Sequence, residues 1–219
     1  MAEPSWFDRL LDWVYVPKCG LCGLADRPAV CGFCESQFER GPDEALELGG
    51  ELGIDGLVWA FSYRGRASQA VRRLKYDRVT SLARPMALQI RRIAAECSVD
   101  GVDMVVPVPI HWSRRFHRGF NQSEMLCAAF EPEQVFPDAM RRVRPTHSQA
   151  SLGPLERRRN LEGAFLADPA MAGASVLLVD DVVTSGHTLA ECAKACRAAG
   201  AVSVFAVTFA GTWEVVDGP

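Results

Sequence analysis

The apolar run Val176-Leu177-Leu178-Val179 leads directly into two adjacent carboxylates, Asp180 and Asp181. Val182, Val183 and the short polar stretch Thr184-Ser185-Gly186-His187-Thr188 follow, and Leu189-Ala190-Glu191-Cys192-Ala193-Lys194-Ala195 opens a helix. Four apolar residues with no alternation read as a parallel strand buried on both faces. A strand, a tight loop and a helix in this order aim backbone N–H groups and hydroxyls at one point, where the helix N-terminus favours an anion. Gly186, lacking Cβ, lets that anion approach the backbone closely. The N–H of His187 faces the same point, with no proton-transfer role for its ring. Paired carboxylates just upstream suit a polyol, directly or through Mg²⁺. A ribose 5-phosphate, with vicinal hydroxyls at one end and a phosphate at the other, fits both halves. The plainer alternative has Asp180 and Asp181 closing a sheet end and Thr184 capping the helix.

Further strands are expected at 57–63, 104–110, 163–166 and 203–209, with helices at 67–76, 81–97 and 123–130. In the second helix Leu82, Met86, Ile90 and Ile93 recur at helical spacing. Cys192 and Cys196 share a face with Leu189 and Ala199, a core stripe of small hydrophobes. This alternation predicts an α/β doubly wound parallel sheet with ligands at the carboxyl ends of its strands. The 104–110 strand stops in Pro107 and Pro109, either of which could follow a cis bond.

Charge is unevenly spread. The whole chain carries −3, but residues 64–159 hold 18 Lys and Arg against 9 Asp and Glu, a local +9 that leaves −12 elsewhere. Such a middle is built to meet an anion: pyrophosphate, nucleotide or nucleic acid. Two clusters stand out. One leaves the 104–110 strand as a basic loop with Arg114, Arg115, Arg118, Asn121 and Gln122. The other holds Arg144, His147, Gln149, Arg157, Arg158, Arg159 and Asn160, and could close as a lid over a leaving pyrophosphate. Either could also be a solvated basic loop. Arginine forks bind pyrophosphate oxygens bidentately. Tyr76, Trp112, Phe116 and Phe120 lie among these cations and could stack on bases, although most are expected in the core.

Cys19-x-x-Cys22 and Cys31-x-x-Cys34 form two knuckles eight residues apart. Four soft ligands at this spacing predict a closed, structural Zn²⁺ site; an iron–sulfur cluster, redox thiols or disulfides are the alternatives. The boundary is expected near Gly41-Pro42, dividing a helix and zinc ribbon at 1–42 from a larger domain at 43–219. Residues 1–14 read as a short amphipathic helix capped by Ser5, with Trp6, Leu10 and Trp13 or Val14 on one side. No stretch reaches the roughly 18–20 apolar residues of a membrane span, and no secretion signal is legible. A cytoplasmic protein is expected, peripheral to the inner membrane at most through partners.

Together, the Cys knuckles, Tyr63-Arg64-Gly65, Leu74-Lys75-Tyr76, Pro107-Val108-Pro109, Arg118 to Gln122, Arg157…Asn160…Gly163-Ala164-Phe165 and Val179 to Gly186 resemble the ComF/GntX family. Ser185 stands where that family commonly has Thr, and His187 where a small residue is common. The resemblance implies a type I phosphoribosyltransferase fold binding phosphoribosyl pyrophosphate (PRPP) with Mg²⁺. It also implies a role in natural competence beside single-stranded DNA and competence proteins. On that resemblance Asp180 and Asp181 hold the ribose hydroxyls and help place Mg²⁺, as the candidate catalytic pair. Val182, Val183, Thr184, Ser185, Gly186, His187 and Thr188 complete the PRPP loop, and Pro107, Val108 and Pro109 form the pyrophosphate loop. Lys75, Arg114, Arg115 and Arg118 would meet pyrophosphate or nucleic acid. An active phosphoribosyltransferase with an unidentified acceptor, and a PRPP-responsive regulator, are the other functions expected of such a chain.

Overall fold

The computed structural model describes residues 16–48, 53–144 and 161–212. The expected N-terminal helix (1–14) and residues 145–160 of the second basic cluster lie outside them.

Five strands form one sheet in the order β1-β2-β7-β6-β3: β1 (Leu46–Leu48), β2 (Ile54–Ser62), β3 (Met104–Pro107), β6 (Ser175–Val183) and β7 (Ser203–Gly211). All neighbours are parallel except β1, which pairs antiparallel with β2 at the edge. Leu177 and Val179 of β6 pack into one buried cluster, Val176 and Leu178 into another on the opposite face. Burial on both faces is why β6 shows no period-two alternation.

The first face is covered by α2 (Gly65–Tyr76), α3 (Ala83–Glu96) and α5 (Gln122–Leu126). Leu82, Met86, Ile90 and Ile93 are all buried there, as their spacing predicts. α6 (His187–Ala198) lies over the other face, with Leu189, Cys192 and Cys196 inward. Burial pushes the Cys196 thiol up to about 12 and holds Cys192 well above its ordinary value, so both remain protonated core residues.

Four expectations need correction. The 163–166 segment does not join the parallel sheet: β5 (Phe165–Ala167) pairs antiparallel with β4 (Met140–Arg142) in a separate two-stranded sheet. Three residues with only Phe165 and Ala167 buried make an edge element rather than a core strand. The 123–130 helix is α5 followed by a 3₁₀ turn at Cys127–Ala129. The basic loop after β3 is in fact α4 (Trp112–Arg118), which ends at Gly119 in the left-handed region. No peptide bond among the described residues is cis.

The cysteine segment is sewn into the main core. Cys19, Leu21, Cys31 and Cys34 are buried in the same cluster as Ala70, Val71 and Leu74 of α2. A Cβ on Gly20 would sit 2.7 Å from the Leu82 side chain, so only glycine permits that approach. Arg73 of α2 donates to the Gly20 carbonyl at 2.6 Å. Phe38 packs its ring against Phe61 and Phe209 at 4.8 and 5.8 Å. Beyond the knuckles, the chain is laid along β2, with Gly41 N–H donating to the Ala60 carbonyl at 3.0 Å.

Candidate functional site

The carboxyl ends of β3 and β6 open into a cavity of about 700 Å³. β6 carries both carboxylates before it ends at Val183, and only Thr184, Ser185 and Gly186 separate it from α6. So tight a turn needs the left-handed conformation at Gly186 (φ 66°). Without a side chain, this N-cap leaves the first N–H groups of α6 uncapped, and His187 and Thr188 line the cavity. The Ser185 hydroxyl is held 2.8 Å from His187 Nδ1.

Asp180 Oδ1 accepts from the Ser123 hydroxyl at 2.8 Å and from the Asp181 N–H at 2.9 Å. Burial, and next the Asp181 charge, push the Asp180 carboxyl up to about 7, against the pull of Lys75 and these donors. Asp181 is only 2% exposed. Its Oδ1 pairs with Lys75 Nζ at 2.8 Å, while Oδ2 is buried with no hydrogen-bond partner. Burial by itself would depress the Lys75 ammonium, but Asp181 and then Asp180 outweigh it and raise its pKa. An orphaned carboxylate oxygen beside a second carboxylate is a donor set suited to a hard cation or hydroxyl donors. Lys75, Arg78, Arg118 and Arg142 also line the cavity. These four fixed cations face two carboxylates, which favours an anion.

The expected residues divide cleanly. Lys75, Val108, Pro109, Arg118, Gln122 and the whole stretch from Asp180 to Thr188 converge on the cavity. Pro107 does not: it is buried in β3, opposite Val179. Asn121 is buried as the N-cap of α5, accepting from Ser123 N–H at 3.1 Å and donating to the Val108 carbonyl at 3.2 Å. It positions the site without reaching it. Arg115 turns away to Glu124 at 2.6 Å. For Arg114 only the backbone, within α4, is described. Sequence reasoning missed Arg78, Ile110, Ser113, His117 and Arg142, and offered Tyr76 only as a ring that could stack on bases. Only the unread α4 helix could have disclosed Ser113 and His117, four residues apart on one face. Arg142 arrives from β4 and packs over the Phe165 ring at 5.4 Å, a long-range contact.

The four knuckle sulfurs lie within 4.8 Å of one another, with Cys19–Cys34 at 3.9 Å and Cys22–Cys31 at 3.8 Å. A tetrahedron of Zn–S bonds near 2.3 Å has edges of about 3.8 Å, so the donor set fits zinc. Burial works to raise the Cys19 thiol, but the backbone N–H groups of Cys22, Cys31 and Leu21 bring it down to about 6. Burial and the neighbouring thiols push Cys34 up to about 12. A closed Cys₄ set offers no open position, so its role is to hold the fold.

The aromatics depart most from expectation. Tyr76 is 68% exposed, Trp112 72% and Phe116 81%; only Phe120 packs against the core. None of the described helices is long and apolar enough to cross a membrane.

The chain matches no protein-family model. It is 33% identical over 155 residues to DNA utilization protein YhgH of Escherichia coli (strain K12), covering 68% of each chain. With DNA utilization protein YhgH of Salmonella typhi the identity is 33% over 204 residues, 86% of this chain and 82% of the relative. With competence protein F of Haemophilus influenzae it is 28% over 202 residues, 85% and 88% of the two chains. Identity at this level over most of both partners, joined to the Cys₄ cluster and the β6–α6 turn, shows that the chain belongs to the ComF/GntX family of competence protein F and DNA utilization protein YhgH.

Proposed function

We propose that the chain binds PRPP with Mg²⁺ in the β6–α6 cavity, on a type I phosphoribosyltransferase fold, and acts in the handling of incoming single-stranded DNA. The observation that carries the ligand is that Asp181, with its orphaned Oδ2, and Asp180 line one cavity together with an uncapped helix N-terminus and four cations. The DNA role rests on the names of the relatives. Asp180 and Asp181 accept from the two ribose hydroxyls. The N–H groups and hydroxyls from Thr184 to Thr188 surround the 5-phosphate. Arg118, with Lys75 and Arg142, neutralises the pyrophosphate. When bound, Mg²⁺ supplies further charge neutralisation at the pyrophosphate, and Asp180 and Asp181 are the residues that would help hold it. Zinc fills the Cys19, Cys22, Cys31 and Cys34 cluster.

Transfer of the phosphoribosyl group to an acceptor is the second reading. It is favoured by Arg118 and Arg142, which line the same cavity as the paired carboxylates and would stabilise a departing pyrophosphate.

Calorimetric titration with PRPP and Mg²⁺ tests the ligand. Binding is expected in the wild type, with a loss of about a hundredfold or more in Asp181→Asn, because hydrogen bonds to charged groups are the strong ones. Equal affinity in both would remove the assignment. Pyrophosphate release in the presence of bases and amines then decides between binding and transfer.

A further inference from the structure

We propose that the exposed rings of Trp112 and Phe116 on α4, continued by Tyr76 at the end of α2, form a stacking platform for single-stranded DNA at the mouth of the cavity. The inference rests on the DNA-handling reading above and adds the surface that performs it. α4 carries two stripes, each at i, i+4 spacing. Ser113 and His117 line the cavity, whereas Trp112 and Phe116, one residue earlier on each turn, face solvent. Two large rings at i, i+4 spacing on one exposed helix face make a patch rather than scattered single residues, and such patches mark interaction sites.

Charge selects the occupant. Arg118 stacks over the Tyr76 ring at 5.2 Å, and Arg78 donates to the His117 carbonyl, tying the end of α2 to α4. The carboxylates nearest in sequence are engaged: Glu124 holds Arg115 at 2.6 Å, and Asp77 leans on Arg73 at 4.0 Å. Aromatic faces interleaved with arginines match unpaired bases on a phosphate backbone, with little preference for sequence. A protein partner matched to bare apolar rings would not call for this collar of cations. Among the described residues the cysteine knuckles expose one ring, Phe33, together with Leu24, rather than a pair of rings at helical spacing.

The test is fluorescence anisotropy with an oligo-dT of roughly 16 nucleotides, at the upper end of a single-module site. Expected is salt-sensitive binding that Trp112→Ala/Phe116→Ala weakens by about thirtyfold or more, while Trp112→Phe retains most of it. PRPP–Mg²⁺ affinity should be unchanged in the ring variant, since neither ring lines the cavity. Unchanged oligo-dT affinity in that variant would make the rings a protein-docking patch and overturn the proposal. Equal affinity of the wild type for a blunt duplex would overturn it too, by assigning the binding to charge alone. A wild type that ignores oligo-dT at low salt removes both the platform and direct DNA contact, leaving the cavity's ligand standing. Conversely, a wild type that binds oligo-dT through the rings but not PRPP keeps the platform and removes the cavity assignment.

Discussion

At the scale of single residues, the site is a balance of three buried charges. Lys75 is the counter-ion that allows Asp180 and Asp181 to sit side by side. Truncating one partner of such a pair strands the other, so Lys75→Met should destabilise the ligand-free protein by about 3 kcal/mol. Adding Asp181→Asn should restore a large part of that loss, and strictly additive effects in denaturant titrations would argue against the pair. Asp180 makes a second prediction through its raised pKa. Between the ordinary carboxylate value and about 7, the folded chain keeps a proton that the unfolded chain has released. The stability of the ligand-free protein should therefore fall as pH rises through that window and level off above it. Asp180→Asn should remove this slope, and thermal midpoints measured in Mg²⁺-free buffer from about pH 4 to 8 would show it.

Among elements, the cysteine knuckles and α4 teach opposite lessons. The knuckles were legible because ligand spacing is set by local backbone geometry, and their sulfurs meet as expected. Their location was not legible, since contact with α2 depends on Leu21, Gly20 and Arg73 meeting across more than fifty residues of chain. Because they share that core, stripping the metal or substituting Cys34→Ser should lower the melting temperature of the whole molecule by on the order of 10 °C. A separate low-temperature transition confined to the knuckles would contradict this. Elemental analysis of protein purified without chelator should find one zinc per chain. α4 escaped the sequence reading because its large apolar residues face water, so no inward stripe marks it as a helix. β5 was misplaced because a three-residue apolar run carries no information about its partner.

For the molecule as a whole, the cavity and the exposed rings are joined by Arg118, which lines the first and stacks on Tyr76 of the second. A pyrophosphate that draws Arg118 inward takes it off the ring. Saturating PRPP and Mg²⁺ should therefore raise the Kd for oligo-dT by roughly fivefold, and DNA should weaken PRPP by the same factor, as linkage requires. Arg118→Ala should abolish this coupling. Independent binding in the wild type would show that the two surfaces work separately.

The run from Val176 to Thr188 determined on its own the strand and the turn, and placed both carboxylates and the polar loop within thirteen consecutive residues. The cysteine spacing did the same for the cluster of four sulfurs. Only tertiary structure decided which basic residues serve that turn. Lys75, Arg118 and Arg142 come from α2, α4 and β4 and reach it through sheet order, whereas Arg115 and Asn121, equally suggestive in sequence, are spent on Glu124 and on capping α5. Local chemistry is written in neighbouring residues; convergence depends on how distant strands pair and which helix face turns inward.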